Sequence, residues 1–510
     1  MTNMRKQEND TSSSVSGVMQ DIRLHIQAGY PLLYLVSWEE ERVLQAIEQI
    51  AIGDDQRKKL WVWTETCGLK NIALGEADRS LTDPLQVLNH IINAKDKAMF
   101  VLLDFHPFLV NHQVTRRLRD AARALAQSGK TLILLSPILT LPDELSKEVV
   151  VFDVDLPTLD ELGGMLDQFI EERQSAKTTK LKKEQRERLL KASQGLTLNE
   201  MQSALSKAFL AHQKIGEGAI PMILAEKKQI IRKSGILEYF SPDETFEEIG
   251  GVASLKRWLA KRDVAFTEDA RKFGLPVPKG LLLVGVQGCG KSLTAKAVAS
   301  QWKVPLLRLD LGKVFSGLVG SSEENVRKAI KLAESIAPCI LWIDEIEKGL
   351  SGSASSHYSD AGTAARVFGT FLTWLQEKEK SVFVIATAND ISLLPPELLR
   401  KGRFDEIFFV DLPGEQERQE IFHIHLKKRH RSPQHFDMDM LRQASDGFSG
   451  AEIEQVIISA LYDAFEHGRP LTTDDVTRSL RETVPLSQTM AEHIAALRKW
   501  AETRARRASV

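Results

Sequence analysis

The chain has 510 residues, 43% hydrophobic and 27% charged, which is ordinary globular usage at a length that favours two or three domains over one core. Its 67 lysines and arginines against 69 acidic residues leave a net charge of −2, which argues against a dedicated nucleic-acid binder. The cysteines Cys67, Cys289 and Cys339 stand far apart without ligand spacing, excluding a disulfide scaffold or structural zinc site, and no apolar run reaches the roughly 18 residues needed to span a bilayer.

The opening MTNMRKQENDTSSSVSG is polar and has no apolar h-region, so residues 1–20 read as a disordered leader, and a cytoplasmic protein is expected, or a stromal one if plastid-encoded. From about Gly29, β-rich runs at 31–36, 60–63, 98–104, 131–135 and 149–154 alternate with amphipathic helical stretches such as 38–51 and 114–127. Continuous apolar strands separated by helices signal a parallel sheet covered on both faces, so residues 21–220 read as an α/β domain with its own helical segment. Residues 221–245 read as a linker, the charge run 226-EKKQIIRKSG-235 as a solvated helix, with nucleic-acid contact as the alternative. A second set of strands follows at 281–286, 305–310, 339–344, 382–387 and 406–411 within an α/β stretch 246–413; a helical region covers 414–482, and 483–510 is a helix with a basic tail, solvated or touching an acidic partner or nucleic acid. The two halves read as related: 130-KTLILLSPILTLPDELSKEVVVFDVDLP-157 parallels 381-SVFVIATANDISLLPPELLRKGRFDEIFFVDLP-413, and 195-GLTLNEMQSAL-205 parallels 447-GFSGAEIEQVI-457, in the same order.

The strongest motif is 285-GVQGCGKS-292, a GxxxxGK[ST] between a strand and a helical stretch. Gly285, Gly288 and Gly290 let backbone amides point at a β-phosphate, Lys291 would bridge the β- and γ-phosphates, and Ser292 would ligate Mg²⁺; Cys289 and Leu293 complete the nucleotide-contacting run. The strand 339-CILWIDEIE-347 ends in two carboxylates. Asp344 would hold Mg²⁺ through water and Glu345 would polarise the attacking water. Asn389 ends the strand 382-VFVIATAND-390 at the crevice where strand C-termini gather, placed to orient that water or serving only as a turn residue. Arg400 and Arg403 in 399-LRKGRFD-405 lie outside the phosphate loop and suit an arginine that completes a neighbour's site.

With these motifs, residues 241–480 resemble an AAA ATPase module: 246-FEEIGG-251, the P-loop, the Asp-Glu strand, the Asn-bearing strand, 395-PPELLRKGRFD-405 and 447-GFSGAEIE-454. The whole chain, with 29-GYPLLYLVSWEEERV-43 and 229-QIIRKSGILEYF-240, resembles the hypothetical chloroplast open reading frame forty-six family. The resemblance implies a P-loop AAA fold, a parallel sheet with helices on both faces plus a helical lid, preceded by a degenerate AAA-like α/β domain. It implies ATP and Mg²⁺ as cofactors and a homo-oligomeric ring, a hexamer, in which Arg400 and Arg403 act in trans. By the same resemblance Ile249 and Gly250 flank adenine, while Gly450 and Ala451 sit in the lid near the nucleotide.

The chain also departs from that pattern. The stretch matching the pore loop, 312-GKVFSGLVGSSEEN-325, places Leu318, Val319 and Gly320 where an aromatic grip is usual, and 349-GLSGSASSHYSDAG-362 reads as a second pore loop or a mobile linker. The first domain has no glycines or lysine after its first strand but Glu39, Glu40 and Glu41, which would repel phosphate; Asp104 is followed by Phe105. That domain is expected not to hydrolyse ATP and to bind a protein client or pack against the motor. No HExxH occurs, which excludes a fused zinc protease of that type. The expected function is an ATP-hydrolysing protein remodeller, or else a slow nucleotide-dependent switch or assembly scaffold.

Overall fold

The computed structural model describes residues 17–53, 58–75, 77–173, 181–240, 245–266, 270, 272–315, 321–349 and 360–509. They divide into two compact bodies, residues 1–223 and 224–510.

The first body is built on a seven-stranded sheet: β1 (Leu32–Val36), β2 (Lys59–Thr64), β3 (Gly68–Asn71), β4 (Ala77–Asp78), β5 (Ala98–Leu103), β6 (Thr131–Ser136) and β7 (Val150–Asp153), in the order β4-β3-β2-β5-β6-β1-β7. Strands β5 and β6 are buried along their whole length because alternate residues serve two cores. Leu32, Tyr34, Phe100, Leu102, Leu132 and Leu134 pack on one face. Leu33, Leu35, Met99, Val101, Ile133 and Leu135 pack on the other. The helix Glu40–Gly53 covers that second face through Val43, Ile47 and Ile50, a helical stripe. Helices Leu159–Arg173, Lys183–Ser193 and Leu198–His212 follow the sheet.

The second body has strands β8 (Leu237–Phe240), β9 (Gly280–Gly285), β10 (Leu306–Leu309), β11 (Cys339–Ile343), β12 (Val382–Ala388), β13 (Glu406–Val410) and β14 (Arg506–Arg507), ordered β14-β13-β9-β12-β11-β10-β8. Leu282, Val284, Leu341, Ile343, Val384 and Ala386 face one core. Leu281, Leu283, Ile340, Trp342, Phe383 and Ile385 face the other. A helical lid follows, from Glu415–Lys428 to Thr473–Glu482, around Phe422, Leu426, Phe448, Ile453, Val456 and Ile457. The two sheets share one plan: β2-β5-β6-β1-β7 corresponds to β10-β11-β12-β9-β13, each with an antiparallel strand on its first member, β3 or β8. The expected fold class, a P-loop α/β module with a lid behind a degenerate relative, is the one observed.

Four expectations need correction. Helix Gly17–Gln27 already begins within the expected leader and buries Met19, Ile22 and Ile26 against the first sheet. The segment expected as a linker carries the helix Ala219–Ser234, with Ile231 in the core of the second body, and β8, which pairs with β10 from Leu237 to Phe240. Its apolar residues are spaced to bury one face, which the lysine run obscures in the sequence. The basic tail is not a solvated helix end: helix Ala491–Arg504 leads into β14, which pairs with β13, and Ala508 is fully buried. Finally, β5 and β11 each run into a left-handed residue, Asp104 (φ 50°) and Glu345 (φ 49°), so Asp104 shares the backbone conformation of Glu345 and not that of Asp344.

Candidate nucleotide-binding site

Strand β9 runs through a tight turn into the helix Lys291–Trp302, and the turn brings backbone amides to the helix N-terminus, where the dipole favours an anion. Glycine is required there by space. A Cβ at Gly285 would collide with the Val410 carbonyl oxygen of the neighbouring strand, and one at Gly288 (φ 74°) would meet Ser449 Oγ at 2.9 Å and Ala451 Cβ at 3.0 Å. The close approach at Gly288 is made by the lid, whose Ala451 amide donates to the Gly288 carbonyl at 3.0 Å.

A cleft of about 470 Å³ opens over this turn, and it gathers most of the residues singled out in the sequence: Ile249, Gly250, Gly288, Cys289, Gly290, Lys291, Ser292, Leu293, Asp344, Glu345, Asn389, Gly450 and Ala451. Gly285 lies beneath it at the end of β9. Lys291, 6% exposed, donates from Nζ to the carbonyls of Gly285 (2.8 Å) and Val286 (2.7 Å), and burial pushes its pKa down to about 8. Burial pushes the Cys289 thiol up to about 12, which keeps it protonated.

On the far side of the cleft, Asp344 Oδ1 accepts from Ser292 Oγ at 2.9 Å and from Thr387 Oγ1 at 2.7 Å. The Thr387 hydroxyl in turn accepts the Glu345 amide at 2.9 Å, fixing the backbone that carries the second carboxylate. Asn389 Nδ2 donates to Glu345 Oε1 at 3.1 Å, and Lys348 pairs with the other carboxylate oxygen. Ser292, in the first turn of helix Lys291–Trp302, and Asp344, directly after β11, are hard oxygen donors. They fit Mg²⁺, which takes one or two protein oxygens and fills its other positions with water and phosphate.

Arg400 and Arg403 do not line the cleft of their own chain. Arg400 is exposed, and Arg403 is half-buried with Nη1 lacking a hydrogen-bond partner. Leu318, Val319, Gly320 and most of the Gly/Ser-rich insertion lie outside the described residues. Sequence reading missed Thr387, Glu347, Glu417, His425 and Ser509, all in or beside the site. Thr387 had a signal: it stands near the C-terminal end of β12, two residues before Asn389, where strand ends meet the crevice. Glu347 accepts the Asn389 amide at 2.9 Å, and burial raises its pKa.

The first body fills the corresponding position with its own chain. Glu39, 6% exposed, accepts the amide of Leu198 at 2.8 Å from the N-terminus of helix Leu198–His212, and pairs with Arg42 at 2.8 Å. Arg42 also reaches Glu161 at 3.1 Å. The Glu39 carboxylate is thus turned inward and paired, and an anion at that helix terminus is already supplied.

Residues 281–412 match the family described as ATPase family associated with various cellular activities (AAA). Residues 18–154 and 160–234 match the N-terminal and second domains of SpoVK-like AAA ATPases. The chain is 32% identical over 273 residues to the proteasome-activating nucleotidase of Saccharolobus solfataricus, covering 52% of this chain and 69% of that protein. It is 42% identical over 486 residues to the uncharacterized AAA domain-containing protein ycf46 of Guillardia theta, covering 95% of this chain and 94% of the relative. The ycf46 protein of Trieres chinensis gives the same identity over 486 residues, covering 95% of this chain and 96% of the relative. Matched along nearly its whole length, the chain belongs to the ycf46 family of AAA domain-containing proteins.

Proposed function

We propose that the chain is a Mg²⁺-dependent ATPase that works as a homo-oligomeric ring, a hexamer, and remodels a protein client recruited by its first body, in the cytoplasm or in a plastid stroma. The observation that carries this reading is the convergence of Lys291, the Ser292–Asp344 pair and the Thr387–Glu345–Asn389 chain on one cleft, with both arginines outside it. No described helix is long and apolar enough to cross a membrane.

The nucleotide base would lie against Ile249 and Gly250, and the phosphates over the turn Gly288–Ser292, with Gly450 and Ala451 closing from the lid. Ser292 and Asp344 would hold Mg²⁺, which supplies charge against the phosphoryl oxygens. Glu345 takes the proton of the attacking water, and Asn389 orients the Glu345 carboxylate through the hydrogen bond already present. Arg400 and Arg403 of an adjoining subunit complete the site, a contribution on the order of 10³ to 10⁵ in rate.

The experiment is subunit mixing. Arg403→Ala and Lys291→Ala proteins should each be inactive alone, yet a co-assembled mixture should recover turnover wherever an intact cleft meets an intact arginine. A mixture that assembles and stays inactive refutes the shared site.

A second reading, a slow nucleotide switch or scaffold, is favoured by the aliphatic Leu318–Val319–Gly320 where a gripping aromatic is expected. Client-stimulated ATPase lost in Leu318→Ala supports the remodeller; slow turnover indifferent to protein clients supports the switch.

A further inference from the structure

The geometry points to the tail, through Ser509, as part of the wall of the base pocket, and to Ser509 and Glu417 as residues that position the base-binding segment Ile249–Val252; this rests on the cleft being a nucleotide site. Ser509 lines the cleft alongside Ile249, Gly250, Val252 and Glu417. It is brought there by backbone pairing and not by chance contact: Phe408 and Phe409 of β13 pair with Arg506 and Arg507, and the Ala508 amide donates to the Phe409 carbonyl at 2.9 Å.

The segment then does two things to the base loop. Helix Ala253–Ala260 starts directly after that loop, and its N-cap residue Val252 makes no side-chain cap. The missing acceptor is supplied from the tail, where the Ala508 carbonyl takes the Leu255 amide at 3.0 Å and so satisfies one of the orphan donors of a helix N-terminus. The second contact runs through Glu417. Its Oε1 accepts the Val252 amide at 3.1 Å and the Ser509 hydroxyl at 2.6 Å, and its Oε2 accepts the Gly414 amide at 2.8 Å. One carboxylate therefore ties together the base loop, the start of the first lid helix and the tail. Beside it, Glu420 takes the Gly251 amide at 2.8 Å. Gly251 itself leaves no room for a side chain, since a Cβ there would run into the Glu417 carboxylate.

The amides of Gly251, Val252 and Leu255 are thus all held by the lid helix or the tail, and the Ser509 hydroxyl joins the tail to the Glu417 carboxylate. Removing it frees the Glu417 carboxylate to turn away from Val252 and loosens the wall the base rests on. The effect should appear in how long a nucleotide stays, more than in the chemistry at Glu345 on the opposite side.

The test uses the full chain and a fluorescent N-methylanthraniloyl-ADP probe. Ser509→Ala should speed probe release about tenfold, the value of one hydrogen bond to a charged acceptor, and raise KM for ATP about as much with kcat shifted less than about threefold. Ser509→Thr, which keeps the hydroxyl, should restore slow release, and hydrogen exchange at residues 249–255 should quicken in Ser509→Ala alone. Release rates equal in wild type and Ser509→Ala, or a lowered melting temperature without faster release, overturn the inference. If wild type itself fails to bind the probe, the nucleotide reading fails, and this inference with it; wild-type binding with an indifferent Ser509→Ala sinks the tail's role alone.

Discussion

With Lys291 against the phosphates, as proposed above, nucleotide binding should be a proton-linked equilibrium. In the structure its ammonium contacts two carbonyl oxygens and no carboxylate, and burial holds its pKa at about 8, below the ordinary lysine value. A triphosphate in the cleft favours the charged form, so binding must drive the pKa back up. With a starting value of about 8, roughly half the sites are protonated at pH 8 and about a tenth at pH 9. Binding at pH 8 should therefore take up about half a proton per nucleotide, and apparent affinity should fall about fivefold from pH 8 to pH 9. The triphosphate contributes nothing to this window, because a phosphate's last ionisation, near pH 6, is already complete. The empty protein should show the opposite trend. Its folded pKa lies below the unfolded one, the unfolded chain binds more protons between about pH 8 and pH 10, and stability rises with pH over that range. Titration calorimetry in two buffers of different ionisation enthalpy measures the proton uptake directly. No uptake at pH 8, together with equal affinities at pH 8 and pH 9, would refute the placement of Lys291 against the phosphates.

Glu345→Gln should bind ATP and hydrolyse it at least about a hundredfold more slowly, as read by single-turnover phosphate release; near-normal turnover would move the base elsewhere. Thr387→Val keeps the shape of the side chain but leaves the Glu345 amide without its acceptor, so it should lose about 1–3 kcal/mol of stability and at least about tenfold in kcat. An active Thr387→Val with an unchanged melting temperature would show that the hydroxyl does not hold Glu345. In the lid, the Arg469 guanidinium grips Asp475 through two hydrogen bonds of 2.6 and 2.7 Å and holds its carboxyl well below the usual carboxylate range. Because the folded pKa is the lower one, the stability it contributes is present above about pH 4 and lost as pH falls through the folded value. Asp475→Asn should thus melt earlier at pH 7 and show a shallower acid dependence below pH 4; parallel curves for the two proteins would count against the pair.

Strands and phosphate loop were legible in the sequence because both are local patterns. Ten apolar runs became β1, β2, β5, β6, β7 and β9–β13, since an apolar run buried on both faces looks the same wherever it occurs. The loop could be read because Gly285, Gly288 and Lys291 answer to sterics and charge within one turn. What escaped was set by partners distant in the chain. Strand β14 is two arginines that become a strand only because the edge of β13 is free, and β8 hides behind a lysine run. Glu417 reads as one acid among several at the start of an amphipathic helix; its role follows from Val252 and Ser509, 165 and 92 residues away. Arg403 remained readable as a residue type, but it lies outside the cleft of its own chain, and the role proposed for it needs a second copy.

The Glu39 carboxylate gives the first body a further property. A diffusible phosphate occupies a helix N-terminus in proportion to its concentration, whereas a carboxylate on the same backbone is present at an effective concentration that no metabolite pool can alter. The contact from Glu39 to Leu198 is therefore made within the chain itself. Of two sheets with one plan, the first therefore carries an anion within its own chain, whatever the nucleotide pool around it.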